Sequence, residues 1–359
     1  MKQNGKKHTT IHDVARLAGV SVASVSYAIN GINKITPATR QHIFNCMETL
    51  DYKVNTAARC LSNGASGLIG VALPITEKND NPGILLNNPF YTEFISGVES
   101  IMQKKRYDIL ISGIDSESRY KDWAISRRLD GIIMLGIYPQ SIYHEIRTLH
   151  IPVVLNDAYE PYALDFHRIM IRDEEGGYMA AKYLIGLGHK NIAFISGNIG
   201  HSPTNRARHE GYCRAHIEAG IPIREDHLYQ CKTSYSGGYE TARKIAETAY
   251  TVTACFAAAD TIAIGLMKGF ADMNIRVPSL MSVVGFDDIQ FGKFVTPGLT
   301  TIKQDIFKKG VLSAQLLLDE MRNPECKKQT VLLEPELIIR DSAVSPAFSV
   351  LINSAVCTM

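Results

Sequence analysis

Between positions 10 and 50 the apolar residues recur at helical spacing in three short stretches. Ile11, Val14, Ala15 and Ala18 fall at i, i+3, i+4 and i+7, one face of a 3.6-residue period, and Gly19 ends the run. Thr10 and Asp13 frame its start as a variant capping box: the hydroxyl is set to cap the first turn and the carboxylate to face the positive helix end. Ser21 caps a second helix with Val25, Ala28 and Ile29 inward, which stops at Asn30-Gly31, where Gly tolerates the left-handed conformation. Thr36-Pro37 opens a third, with Pro at the first helical position, running through Ile43, Met47 and Leu50. Two short helices across a Gly turn, closed by a third, make a helix-turn-helix unit.

From residue 66 the pattern changes to short apolar runs alternating with amphipathic stretches, the order expected of parallel sheets covered by helices. Strands are predicted at Leu68 to Pro74, Asp108 to Ile114, Gly131 to Gly136, Val153 to Asn156, Ile192 to Ser196, Ala254 to Ala258 and Ser282 to Phe286, with helices such as 173 to 187 and 261 to 273 between them. Single cores stop growing near ~250 to 300 residues, so an α/β stretch of this length is expected to divide into two lobes.

Composition is that of an ordinary soluble protein, with 45% apolar and 21% charged residues in 359. Neither a secretory signal nor an eighteen-residue apolar span is present, which predicts a cytoplasmic protein without a membrane partner. Seven cysteines are scattered with no Cys-x-x-Cys pair, arguing for reduced thiols and against a disulfide framework, a redox motif or a metal site. The net charge of +2 conceals an asymmetry: residues 1 to 62 carry eight Lys and Arg against three Asp and Glu, a net of +5, which leaves −3 for the remainder. A basic head on a slightly acidic body is the charge footprint of a DNA-binding domain attached to something with another task.

In a helix-turn-helix the first residues of the second helix enter the major groove, here Val22, Ala23 and Ser24, with Ser26 and Tyr27 one turn later. Ser can serve phosphates or base edges, while Val and Ala offer apolar contact to the thymine methyl group. The same spacings would suit any helical hairpin. The stretch from Thr10 through Ser26, Thr-Ile-His-Asp-Val-Ala-Arg-Leu-Ala-Gly-Val-Ser-Val-Ala-Ser-Val-Ser, resembles the N-terminal signature of the lactose repressor/galactose repressor (LacI/GalR) family of bacterial transcription regulators. The likeness continues through Asn30-Gly31, Thr39-Arg40 and Leu50 to Leu61, which resembles that family's hinge helix.

The resemblance implies that residues 55 to 62 fold into a short helix only when two protomers meet on DNA, with Leu61 wedged into the minor groove and Asn55, Ala58 and Arg59 around it. Thr10, Ser21 and Asn30 join the DNA-facing set at the helix ends. An isolated eight-residue helix is too short to persist in water, so its folding can be coupled to DNA binding, and a Leu inserted at a base step bends the duplex. Where the family commonly has Arg after Val-Ser in the recognition helix, this chain has Tyr27, a single hydroxyl and a stacking face in place of a bidentate fork. A half-site differing at that position is therefore expected.

The likeness extends through the body to about residue 342, including Ile151 to Leu155, Leu187 to Ile195, Ser282 to Asp288, Leu299 to Gln304 and Pro335 to Ser342. It implies an α/β two-lobed, periplasmic-binding-protein-like (type I) fold in which the chain crosses three times between lobes and a small molecule sits between them at the C-terminal strand ends. Carried over by position, the effector contacts are Asp157, Arg208, Asp260 and Asp287. Phe90 or Tyr91 could supply an aromatic face for a sugar ring. Carboxylates accept from neighbouring hydroxyls and Arg donates a rigid fork, which suits a carbohydrate effector, with a sugar phosphate or a nucleobase, which other family members bind, as the alternatives. Each position also admits a structural duty: an N-cap for Asp260, a turn for Asp287, a surface ion pair for Arg208, core packing for Phe90. Ala259, Thr233 and an insertion over Glu77 to Asn87 depart from the family pattern, so the pocket is expected to differ in shape.

The expected division is a helix-turn-helix head over 1–50, a hinge over 51–64, an N-terminal lobe from 65–160 and 293–325, a C-terminal lobe from 161–292 and 326–342, and a tail over 343–359. No Gly-x-Ser-x-Gly, His-Glu-x-x-His, Walker loop or strand-following Gly-x-Gly-x-x-Gly is present, so no catalytic role and no cofactor is predicted, and His189 and His201 read as structural. A transport-type solute-binding protein would share the body but not the basic head. One head reads one half-site, which predicts a homodimer on a double-stranded DNA operator with inverted repeats. The tail shows no heptads, which argues against a further coiled-coil seam.

Overall fold

The computed structural model describes residues 9–53, 65–74, 85, 88–114, 119–136, 138–247 and 252–346. Two units are distinguished, the first ending at Ser66 and the second beginning at Gly67. In the first, α1 (Ile11–Ala18), α2 (Val22–Ile29) and α3 (Pro37–Thr49) follow the predicted starts and stops. The Asp13 carboxylate accepts from both the backbone N–H and the hydroxyl of Thr10, Gly19 takes the left-handed conformation at φ 63°, and Ser21 and Thr36 cap the next two helices through the N–H groups of Ser24 and Thr39. Val14, Val25 and Ile43, one from each helix, are fully buried at the centre, with Ala15, Ala18, Ala28 and Cys46 around them.

Among its described residues the second unit holds two six-stranded sheets. The first contains β1 (Leu68–Pro74), β2 (Asp108–Ile114), β3 (Gly131–Leu135), β4 (Val153–Asn156), β5 (His167–Ile171) and a late strand, β11 (Thr330–Leu333), in the order β11-β5-β4-β3-β1-β2, all parallel. The second contains β6 (Ile192–Ser196), β7 (Leu228–Gln230), β8 (Ala254–Ala257), β9 (Ser282–Asp287), β10 (Thr300–Lys303) and β12 (Glu336–Ile338), in the order β12-β10-β9-β8-β6-β7, with only β12 antiparallel. Parallel strands covered on both faces read as continuous apolar runs. In the first sheet Val71, Leu73 and Ile133 face α4 (Pro89–Met102) and α11 (Ile306–Arg322), while Ala72, Ile132 and Met134 face α5 (Arg119–Arg127) and α6 (Gln140–Arg147). The second sheet is likewise enclosed by α7 (Asp173–Gly186) and α8 (Pro203–Glu218) on one side and α9 (Tyr235–Glu247) and α10 (Asp260–Asp272) on the other.

The chain crosses between lobes three times, at places that differ from the expected boundaries. Residues 161–171 belong to the first lobe, because β5 pairs with β4. Residues 293–303 belong to the second, because β10 pairs with β9, and 330–333 belong, with α11, to the first, because β11 pairs with β5. Lobe membership of these short strands is set by which sheet edge receives them, a property absent from their local pattern. The tail begins later than expected: Ala343 is buried, and Val344 exchanges hydrogen bonds with Ser282 while its carbonyl accepts from His189 Nε2. His189 is itself buried, beside the Thr253 hydroxyl, so its duty is structural; His201 is exposed in a turn closed on Asn198.

Candidate functional site

In the head, α2 presents Ser21 and Ala23 exposed and Ser24, Ser26, Tyr27 and Asn30 half-buried, while Thr10 is exposed at the start of α1. Val22 is half-buried and leans on the three-helix core, so its duty is shared between packing and any contact outward. Asn30 donates to the Ser26 hydroxyl at 3.2 Å, and the Lys34 ammonium lies 5.5 Å from the centre of the Tyr27 ring. Periodicity did not single out Lys34, because it stands in the loop after α2. Asn55, Ala58, Arg59 and Leu61 lie outside the described residues, as does nearly all of the 77–87 insertion.

In the body, acidic and basic side chains from both lobes converge at the C-terminal ends of the strands. Asp157 follows β4 and Asp287 ends β9, with backbone φ of 59° and 123°. Such values cost non-glycine residues about 1–3 kcal/mol and cluster at binding sites. Arg208, 6% exposed in the second turn of α8, donates to Asp173 Oδ1 at 2.7 Å and to the Ala258 carbonyl at 2.5 Å, lies 3.8 Å from Asp287 Oδ1 and stacks 3.6 Å from the centre of the Phe286 ring. Close helix packing fixes this position: a Cβ on Gly211 would stand 1.9 Å from the Glu174 carbonyl, so only glycine lets α8 lie this close to α7. Asp173, which opens α7, also accepts from the Tyr159 hydroxyl.

Across the cleft, α11 contributes Lys309, fully buried, which donates to Asp157 Oδ1 at 2.7 Å and to Gln304 Oε1 at 2.9 Å; the Gln304 nitrogen in turn donates to Asp287. Phe90 and Tyr91, at the start of α4, are half-buried with their rings edge-on at 5.5 Å. The surrounding protein and then the Asp157 and Asp287 carboxylates push the Tyr91 hydroxyl above its ordinary pKa. Burial raises the Asp287 carboxyl, and Arg208, Gln304 and Lys309 pull it part of the way back, leaving it at about 6. Burial likewise raises Asp173, against the pull of Arg208. The arrangement is a desolvated set of alternating charges that can accept from hydroxyls at Asp157 and Asp287.

Five of the six expected effector contacts, Phe90, Tyr91, Asp157, Arg208 and Asp287, are thus brought together. Asp260 stands beside Asp287 without joining the set: its fully buried carboxylate accepts from the Thr301 hydroxyl at 2.5 Å and the Ile289 N–H at 2.9 Å, and burial, then the Asp287 charge, raises its pKa well above the ordinary range. It serves as an internal brace for the turn that carries Asp287. Gly285 permits that brace, since a Cβ there would meet Asp260 Oδ1 at 2.1 Å. Asp173, Tyr159, Gln304 and Lys309 were missed from the sequence. A signal existed for Lys309, the lone cation among Ile306, Gly310, Ser313, Ala314 and Leu317 on the buried face of α11. Among the described residues no group of His, Cys, Asp and Glu could hold a metal ion, and Cys46, Cys213, Cys231, Cys255 and Cys326 are free thiols.

A three-helix head of this form and a two-lobed body with a charged interlobe cleft, on one chain, define a DNA-binding regulator that responds to a small molecule. Residues 10–55 match the model of bacterial regulatory proteins of the lacI family, and 181–343 match that of the periplasmic binding protein-like domain. The chain is 31% identical to catabolite control protein A of Priestia megaterium, an alignment covering 93% of this chain and 99% of that one. It is 34% identical to the probable transcriptional repressor ExuR of Bacillus subtilis, over 93% and 98%. Among solved structures, the Lac repressor dimer bound to operator and an anti-inducer superposes with a TM-score of 0.80 at 25% identity, over 94% of this chain and all of that one. A complex of the regulator CelR with cellobiose superposes at 0.70, with 25% identity, over 93% and 99%. This chain belongs to the LacI family of transcription regulators.

Proposed function

We propose that this chain is a transcriptional repressor that binds an inverted-repeat operator as a homodimer in the cytoplasm and is controlled by a polyhydroxylated effector of the carbohydrate class. The observation that carries the effector assignment is the convergence of Asp157 and Asp287, from opposite lobes, with the buried Arg208 and the Phe90 and Tyr91 rings. Acceptors that cannot leave and donors already oriented recognise hydroxyls at low ordering cost, and an aromatic face suits the apolar side of a pyranose. Ser21, Ala23, Ser24, Ser26 and Tyr27 face the major groove in this reading, with Val22, Thr10 and Asn30 supporting them and Asn55, Ala58, Arg59 and Leu61 supplying the minor-groove contact. The ionisable groups of the cleft are spent on one another and on orientation, which supports binding rather than catalysis. Among the described residues no helix is long and apolar enough to cross a membrane.

The test is twofold. Selection of binding sites from a random duplex library is expected to return a symmetric sequence. A thermal-shift panel of sugars, cellobiose and ribose among them, sugar acids, sugar phosphates and nucleobases is expected to show stabilisation by a sugar or sugar derivative. A panel in which only nucleobases raise the melting point overturns the carbohydrate assignment, and a selection that enriches no sequence overturns the operator.

A further inference from the structure

Lys309 is the residue that the packing of α11 does not account for. Its neighbours on the buried helix face are apolar or small, yet its side chain is 0% exposed. Desolvating an ammonium costs several kcal/mol unless good partners offset it. The partners are directional. Asp157 and Gln304 both accept from Lys309, so the Gln304 amide is turned with its oxygen to the ammonium and its nitrogen to Asp287. Asp157 follows a strand of the first lobe, Asp287 ends a strand of the second, and Gln304 sits in the crossover between β10 and α11.

We propose that Lys309 and Gln304 are positioning residues of the effector cleft, joining Asp157 and Asp287 in one hydrogen-bonded chain that lets each lobe respond to what the other binds. The proposal rests on the cleft reading above. Glutamine is the residue type the chain requires at 304, because it must accept at one end and donate at the other. A carboxylate there could take the Lys309 proton donors but offer none to Asp287. The chain also holds two backbone conformations of positive φ, at Asp157 and Asp287, which unrestrained aspartates would leave. When an effector hydroxyl donates to Asp157, that carboxylate's hold on Lys309 changes, the ammonium shifts towards or away from Gln304, and the orientation of Asp287 changes in the other lobe.

Hydrogen exchange of the full-length, ligand-free protein, read by mass spectrometry on peptides covering 153–159 and 284–289, tests the chain. Lys309→Met is expected to speed exchange about tenfold in both segments, the effect of losing one charge-assisted hydrogen bond. Lys309 hydrogen-bonds only the first of them. Gln304→Glu is expected to leave 153–159 protected and to speed 284–289 alone, whereas Gln304→Met is expected to speed both. If Lys309→Met does not fold by circular dichroism, the two Gln304 variants decide the matter. Exchange rising only at 153–159 in Lys309→Met, or 284–289 staying as protected as wild type in Gln304→Glu, overturns the proposal. No effector is used, so a panel that finds no ligand does not affect this result, and a failed chain does not affect the panel.

Discussion

Removing the Arg208 guanidinium leaves the Asp173 carboxylate buried beside Tyr159 with its counter-ion gone. Breaking one side of a buried pair costs about 3–5 kcal/mol, far above the median for surface pairs. Arg208→Met is therefore expected to lose stability of that order in urea unfolding and to show no thermal shift with any ligand that stabilises the wild type. A loss under 1 kcal/mol would mean that Asp173 finds another partner. Asp287 gives a pH signature. Its carboxyl holds a proton more tightly when folded, near 6, than when unfolded, near 4. The stability it adds is complete below about pH 4 and fades as pH rises through 6. Asp287→Asn mimics the protonated form, so its stability relative to wild type is expected to rise by roughly 1–3 kcal/mol between pH 4 and pH 7. Parallel pH profiles for the two proteins would remove Asp287 as the source.

At the scale of elements, two glycines separate contact from propensity. Gly211→Ala places a methyl group 1.9 Å from a backbone carbonyl of α7 and is expected to cost at least about 1–3 kcal/mol while displacing Arg208. Gly186→Ala, at the last turn of the same α7, meets nothing within 4 Å and is expected to be neutral or up to about 1 kcal/mol stabilising. Comparison of the two melting points checks whether the closeness of α7 and α8 matters in itself. In the head, Tyr27→Arg is expected to change the base preferred at one half-site position while altering stability by less than about 0.5 kcal/mol, because Tyr27 lies outside the buried core. An unchanged preference in library selection would take Tyr27 out of the interface.

For the whole molecule, the +5 charge of residues 1 to 62 predicts that operator affinity falls steeply with salt, on the order of 10³-fold between about 50 and 200 mM if six phosphates are neutralised. Deleting residues 1–66, the first unit, is expected to abolish DNA binding and leave the effector-induced thermal shift intact. A truncated protein that still binds operator would place the DNA contacts in the body.

Local pattern determined the head almost completely. Three helices, their caps at Ser21 and Thr36, the Gly19 stop and the core of Val14, Val25 and Ile43 all depend on residues within a few turns of one another, where 3.6-residue spacing is the governing constraint. The central strands of both sheets were legible for a similar reason, since burial on both faces writes itself as an apolar run. The cleft was legible where a family motif marked a strand end, as at Asp157 and Asp287. The partners of Lys309, Gln304 and Asp173 were not legible, nor was the withdrawal of Asp260 to Thr301, because these pairings join residues 17 to 152 positions apart. The lobe to which β5, β10 and β11 belong was likewise decided by edge pairing. Sequence spacing dictates which face a side chain takes on its own element; which distant group it then meets depends on how sheets and crossovers close, and only the folded chain settles that.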